Sequence, residues 1–202
     1  MKDKKLIQVF LKAPEQGKVK TRLIPELGVK RATMIHERLV EHVMGIVHSM
    51  DIPEECWIAG DMKHPFVKSV EADFKVHQQQ GSDLGERMYF ALAQGLKHAS
   101  RVVLIGSDAY SITPDYVEEA FARLNQTDVV LGPSRDGGYI LIGVKRIAEG
   151  MFSDIEWGID SVLDAQCGRL SSCGLRYSLL EPGWDVDTVE DIKAFAPELL
   201  SP

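Results

Sequence analysis

Long apolar runs are missing from this 202-residue chain. No segment approaches the roughly 20 residues that cross a bilayer, and the first apolar stretch, Leu6–Leu11, is broken by Gln8 and too short for a secretory leader. The expectation is a cytoplasmic protein with no membrane partner. Cysteine is scarce: Cys56, Cys167 and Cys173 are odd in number and form no Cys-x-x-Cys pair, so a disulfide framework is not expected and the thiols read as reduced and incidental. Excess positive charge is lacking too. Lys and Arg number 23 against 30 Asp and Glu, a net charge of −7 with no long basic run, which argues against nucleic acid as a partner. No Gly-x-Gly-x-x-Gly follows the first apolar stretch, which disfavours a dinucleotide oxidoreductase, and Gly17-Lys18 lacks the upstream glycine of a Walker loop and is followed by Val19. Linkers, repeats and low-complexity segments are absent, so residues 1–202 read as a single domain.

What is present is a regular alternation of short apolar runs and helical patterns. Val102-Val103-Leu104-Ile105 has the continuous apolarity of a strand buried on both faces, and Gly106-Ser107-Asp108 follows it. Open α/β sheets bind ligands at the carboxyl ends of their strands. A carboxylate there can hold a divalent cation against nucleotide phosphates, because hard cations prefer oxygen ligands; Asp108 could equally do no more than cap a turn. Leu6–Leu11, Cys56–Ala59, Phe74–Gln78, Asp128–Leu131, Ile140–Val144 and Tyr177–Leu180 read as further strands. The first helix buries Ala32, Ile35, Leu39, Val43, Ile46/Val47 and Met50 at helical spacing. His36, His42 and His48 recur every six residues, share no face, and read as solvated or incidental. Thr113-Pro114 opens a helix with Val117, Ala120, Phe121 and Leu124 inward, and Thr188 with Asp191 caps the last one, Ile192 and Phe195 facing in. Strands alternating with helices predict a mostly parallel α/β sheet.

Four stretches carry candidate chemistry besides Asp108. The loop Lys12–Leu23 holds Lys12, Lys18, Lys20 and Arg22, shaped by Pro14 and Gly17. Ammonium groups with one planar guanidinium suit a polyphosphate, although a solvated basic loop would read alike. Asp83 and Glu86, within Gln80–Met88, have capping-box spacing, and Leu84, Met88, Leu92 and Leu96 form the predicted buried stripe behind them. Capping alone would explain that acid pair; a base or ribose could also rest there. Gly132–Tyr139 could be a plain hairpin turn, but its length and its Arg135, Asp136 and Tyr139 lean towards a substrate loop. Asp185 and Asp187, two apart, share one side of an extended segment, as metal-binding carboxylates need; alternatively Asp187 merely favours the positive end of the last helix.

Taken in order, these motifs resemble an uncharacterised bacterial family with the glycosyltransferase-A fold, labelled as arsenosugar-biosynthesis glycosyltransferases. Lys-Ala-Pro-x-x-Gly-x-Val-Lys-Thr-Arg-Leu, here residues 12–23, is close to that family's opening signature. The resemblance implies an α/β nucleotide-diphospho-sugar transferase fold, an αβα sandwich around a mixed, mostly parallel central sheet. It implies a nucleotide sugar or NTP as donor, a small-molecule acceptor, and Mg²⁺ or Mn²⁺ held by Asp108 with Asp185 or Asp187. Lys12, Gly17, Lys20, Thr21, Arg22, Gly81, Asp83, Arg87, Gly137 and Gly138 become the binding candidates, and Asp136 would face the sugar or acceptor beside the catalytic Asp108. Glycosyl transfer leads; nucleotidyl transfer from an NTP to a phosphate or acidic sugar is the second reading. Where the family has proline, this chain has Tyr110, and no second acid follows, so a nucleotide-binding protein without turnover is the third.

Overall fold

The computed structural model describes residues 4–201. The chain begins with strand β1 (Lys5–Lys12), followed by a 3-10 turn (Thr21–Leu23) and helix α1 (Ile24–His48), which is broken at Gly28 (φ 76°). Then come β2 (Glu54–Ala59), α2 (Pro65–Val70), β3 (Lys75–Gln78), α3 (Leu84–Gly95), β4 (Arg101–Gly106) and α4 (Pro114–Arg123). The second half contributes β5 (Val129–Pro133), β6 (Tyr139–Val144), α5 (Val162–Ser172), β7 (Tyr177–Leu179) and α6 (Val189–Phe195), and a last 3-10 turn spans Pro197–Leu200. The short helix α2 is the one α-helix that the spacing of apolar residues does not predict; at six residues it is too brief to show a period.

One seven-stranded sheet, ordered β3-β2-β1-β4-β6-β5-β7, forms the middle layer. All its ladders are parallel except those made by β6, which runs against both β4 and β5. The predicted αβα sandwich with a mixed, mostly parallel sheet is therefore the observed fold. Alternation along β1 shows the layering. Ile7, Val9 and Leu11 pack with residues of α1, α2 and α4, whereas Leu6 and Phe10 pack with those of α3 and α5. A third cluster joins Leu23, Ile35 and Leu39 to Val186, Val189 and Ile192, fastening the end of the chain to α1.

Reversal of β6 has a geometric consequence. Because β5 is antiparallel to β6 and β6 to β4, β5 runs the same way as β4, and β7 follows β5. The turn from β5 to β6 and the segment after β7 thus emerge on the same edge as the ends of β1 and β4. Burial departs from the predicted stripe of α3 at its start: Leu84 is exposed, while Met88 and Leu92 are buried as expected, and Gly85, Ala91 and Gly95 are buried with them. Leu84 is the first helical residue, ahead of the buried stripe that begins at Gly85. Among the described residues no helix is long and apolar enough to cross a membrane.

Candidate functional site

Five segments converge on that edge around a cleft of about 850 Å³. They are the loop after β1, the turn after β4, the β5–β6 turn, the stretch Trp157-Gly158-Ile159-Asp160, and the segment holding Asp185 and Asp187. The last of these is tied down by backbone. Gly183 N–H donates to Pro133 O (2.8 Å), Ser111 Oγ donates to Trp184 O (2.8 Å), and Trp184 N–H donates to Ser111 Oγ (2.7 Å). A side chain at 183 would force its neighbours to move, since a Cβ there would come within 2.5 Å of Ile140 Cδ1 and 2.6 Å of Ser111 Oγ. At Gly137 (φ +89°) a Cβ would meet Asp160 O at 1.9 Å, which locks the β5–β6 turn against the 157–160 stretch.

The centre of the cleft is a carboxylate trio. One oxygen from each of Asp108, Asp185 and Asp187 lies within 4.8 Å of the other two. Lys20 Nζ donates to Asp108 Oδ2 at 3.0 Å and to Asp187 Oδ1 at 2.7 Å, and its side chain is 6% exposed. Arg22 reaches the other oxygen of Asp187 at 3.1 Å. Burial alone would weaken the Lys20 ammonium, but the two aspartates outweigh it and hold its pKa above the usual range. Asp108 mirrors this: burial would raise its carboxyl, and the Lys20 charge pulls it below the carboxylate norm instead. Among the described residues Asp185 pairs with no cation; the Ser134 hydroxyl donates to it at 2.9 Å. Burial, together with the negative charges of Asp108 and Asp136, pushes its pKa up to about 6. Oxygen donors at this spacing, one of them short of positive charge, suit a hard divalent ion such as Mg²⁺ or Mn²⁺.

The remaining candidates divide. Lys12, Thr21, Asp136, Gly138 and Arg87 line the cleft beside the trio. Lys12 Nζ donates to Lys18 O at 2.9 Å and closes the basic loop, while Asp136 Oδ1 accepts from Gly138 N–H at 3.0 Å. Gly17 (φ +77°) lies in the turn of the basic loop without facing the cleft. Gly81 and Asp83 line a separate depression of about 560 Å³ on the other side of α3. There Asp83 Oδ1 accepts from Glu86 N–H (2.8 Å), and Glu86 reaches Ser82, one residue short of the predicted reciprocal box. Asp187 is not spent on capping. Thr188 and Asp191 form the capping box of α6, with the Asp187 N–H donating to Asp191 and its carboxylate left for the cleft.

The histidines correct the sequence reading. His36 is neither solvated nor incidental: it is buried, lines the cleft, and lies with Nε2 2.8 Å from Lys12 O. Burial pushes its pKa below the usual value and the Lys20 charge adds to this, so a neutral ring donating from Nε2 is the form that fits. His42 is occupied too, with Nε2 3.1 Å from Tyr110 O and its ring stacked on Tyr110 at 4.2 Å. Only His48 fits the expectation, on the surface beside Glu54. A signal for His36 did exist, since it falls on the buried stripe between Ala32 and Leu39. Tyr110 faces away from the cleft, against His42 and Trp184, with its hydroxyl donating to Glu198.

A family model described as "Uncharacterized protein conserved in bacteria (DUF2064)" matches residues 44–159. The chain belongs to that family. A solved structure described as a "putative nucleotide-diphospho-sugar transferase", from Desulfovibrio desulfuricans G20, is 31% identical over 98% of this chain and 90% of its own, with a TM-score of 0.87. More distant likenesses share the fold. A CMP:2-keto-3-deoxy-manno-octonic acid synthetase complexed with CTP is 13% identical, covering 98% of this chain and all of its own at a TM-score of 0.60. The Rv0371c protein of Mycobacterium tuberculosis H37Rv, in complex with manganese, is 16% identical, covering 95% of this chain and 98% of its own at 0.54. A search of curated proteins finds no match.

Proposed function

We propose that this protein is a cytoplasmic transferase that uses a divalent metal to act on a nucleotide-linked donor, moving a glycosyl group from a nucleotide sugar to a small acceptor. The observation that carries the reading is the convergence of Asp108, Asp185 and Asp187 with Lys20 and Arg22 in one cleft at the carboxyl edge of the sheet. Asp108, Asp185 and Asp187 would hold Mg²⁺ or Mn²⁺, which when bound supplies charge neutralisation at a diphosphate. Arg22, Lys12 and the basic loop stabilise the negative charge that builds on the departing diphosphate as the bond between the sugar carbon and its phosphate oxygen breaks. Asp136, beside the trio, accepts the hydrogen bond of the acceptor hydroxyl and holds it towards that carbon. The likeness to the Desulfovibrio protein supports this reading.

Nucleotidyl transfer is the second reading, supported by nucleotidyltransferases among the proteins of like fold. There the same cations would face a triphosphate and the leaving group would be pyrophosphate. A thermal-shift panel of nucleotide sugars and NTPs, with and without Mn²⁺, separates the two. A ligand at about 100 Kd adds roughly 2.7 kcal/mol of stability. Stabilisation by a nucleotide sugar, followed by release of nucleoside diphosphate, supports the first reading, and an NTP preference with pyrophosphate release supports the second. Binding with no product from any donor favours the non-catalytic alternative. No nucleotide-dependent shift at all would sink all three.

A further inference from the structure

Lys20 holds two of the three carboxylates that could bind a metal ion. An ion held by Asp108, Asp185 and Asp187 takes one oxygen from each, and Lys20 already holds Asp108 Oδ2 and Asp187 Oδ1. Its Nζ–O distances of 3.0 and 2.7 Å are those of an ammonium group in a hydrogen-bonded pair. A divalent ion at about 2.0–2.6 Å from the same oxygens would stand in contact with that ammonium, charge against charge. The arrangement is not where a loose lysine drifts by default. The side chain is 6% exposed, and its backbone is held at φ 42°, ψ 47°, in the left-handed region that residues other than glycine seldom adopt. Of the three carboxylates, Asp185 is the one Lys20 does not reach, and among the described residues no other cation pairs with it.

We infer that Lys20 is the resident cation of the trio and keeps the metal position closed until a polyphosphate draws its ammonium away. Metal and polyphosphate then favour each other. Bare protein takes up the ion weakly, because ion and ammonium compete; a phosphate group that pairs with Lys20 frees Asp108 and Asp187 for the ion. Reciprocity of binding free energies makes each ligand strengthen the other by the same factor. Lys20 is on this account a positioning residue whose exchange between carboxylate and phosphate sets the order of loading. The inference rests on the proposed metal role of the trio, and it is independent of which group is transferred.

The test uses Mn²⁺ alone, with no nucleotide present, read by the electron-paramagnetic-resonance signal of free Mn²⁺. Lys20→Met should bind Mn²⁺ at least ten-fold more tightly than the parent, and adding Asp108→Asn should erase the gain. Mn²⁺ should also raise the melting temperature of Lys20→Met by more than that of the parent. A lysine whose role is to hold the three carboxylates together predicts the opposite sign, with weaker metal binding once it is removed. Lys20→Gln, which keeps polar contacts but no charge, gives the same reading should Lys20→Met fold poorly. Equal or weaker Mn²⁺ affinity in the folded variants overturns the inference. Failure of the proposed function shows elsewhere, as the absence of nucleotide stabilisation in the parent protein.

Discussion

Two acidic segments precede helices in this molecule, and they have opposite fates. At α3, Asp83 and Glu86 turn inward on their own segment: Asp83 accepts the N–H of Glu86, and Glu86 accepts from both the backbone and the hydroxyl of Ser82. At α6 the same local work is done by Thr188 and Asp191, which leaves the Asp187 carboxylate for Lys20 and Arg22, 167 and 165 residues away in sequence. An acid near a helix start is thus uninformative until its local donors are counted. Where the cap is already complete, the extra carboxylate is the one available to a site.

The sharpest way to break this comparison is to remove one carboxylate from each side. Asp187→Ala should lower kcat/KM for the productive donor by about 10²–10³-fold, the range that loss of one preorganised electrostatic contact brings. Its fold should survive, since the cap of α6 stays whole, and circular dichroism on the same sample checks that. An Asp187→Ala enzyme with parental kcat/KM would place the segment outside the site.

Asp185 gives a prediction of intermediate size. Its folded pKa, about 6, lies above the unfolded carboxylate value near 3.9. The folded state therefore binds the proton more tightly than the unfolded chain. That contribution is fully present below about pH 4 and is lost as pH rises through about 6. Asp185→Asn keeps an acceptor for Ser134 and removes the charge. It should be more stable than the parent at pH 8 by on the order of 1–3 kcal/mol, with the difference shrinking at pH 5. Urea unfolding at the two pH values reads this directly, and a gap independent of pH would show that Asp185 is not held uncompensated.

The smallest effect belongs to the other segment. Asp83→Ala should cost about 1 kcal/mol of stability through loss of the cap. Nucleotide affinity and turnover per folded molecule should stay at parental values, because Asp83 lies off the main cleft. A selective fall in nucleotide affinity would bring Asp83 back among the ligand contacts.

Legibility followed physical range. Strands such as Val102-Val103-Leu104-Ile105 announce themselves because burial on both faces demands apolar residues in succession. The caps at Thr113 and Thr188 are equally readable, since donor and acceptor lie three residues apart. Periodicity among histidines says nothing about what one of them faces; for His36 the better signal is its helix neighbours Ala32 and Leu39 on the buried stripe. Tyr110 could not be placed from sequence at all, as its stacking partners His42 and Trp184 come from distant segments.

From the sequence alone came the alternation of strands and helices, the mostly parallel sheet, and the residue types able to hold a phosphate or an ion. Those follow from local spacing, which burial and hydrogen bonding impose within a few residues. Tertiary structure alone decided that β6 runs backwards, which brings the β5–β6 turn and the segment after β7 to the edge where β1 and β4 end. It also decided that Lys20 belongs to Asp108 and Asp187. Charge pairing across such separations has no signature in spacing, because it depends only on where the packed layers deliver each side chain.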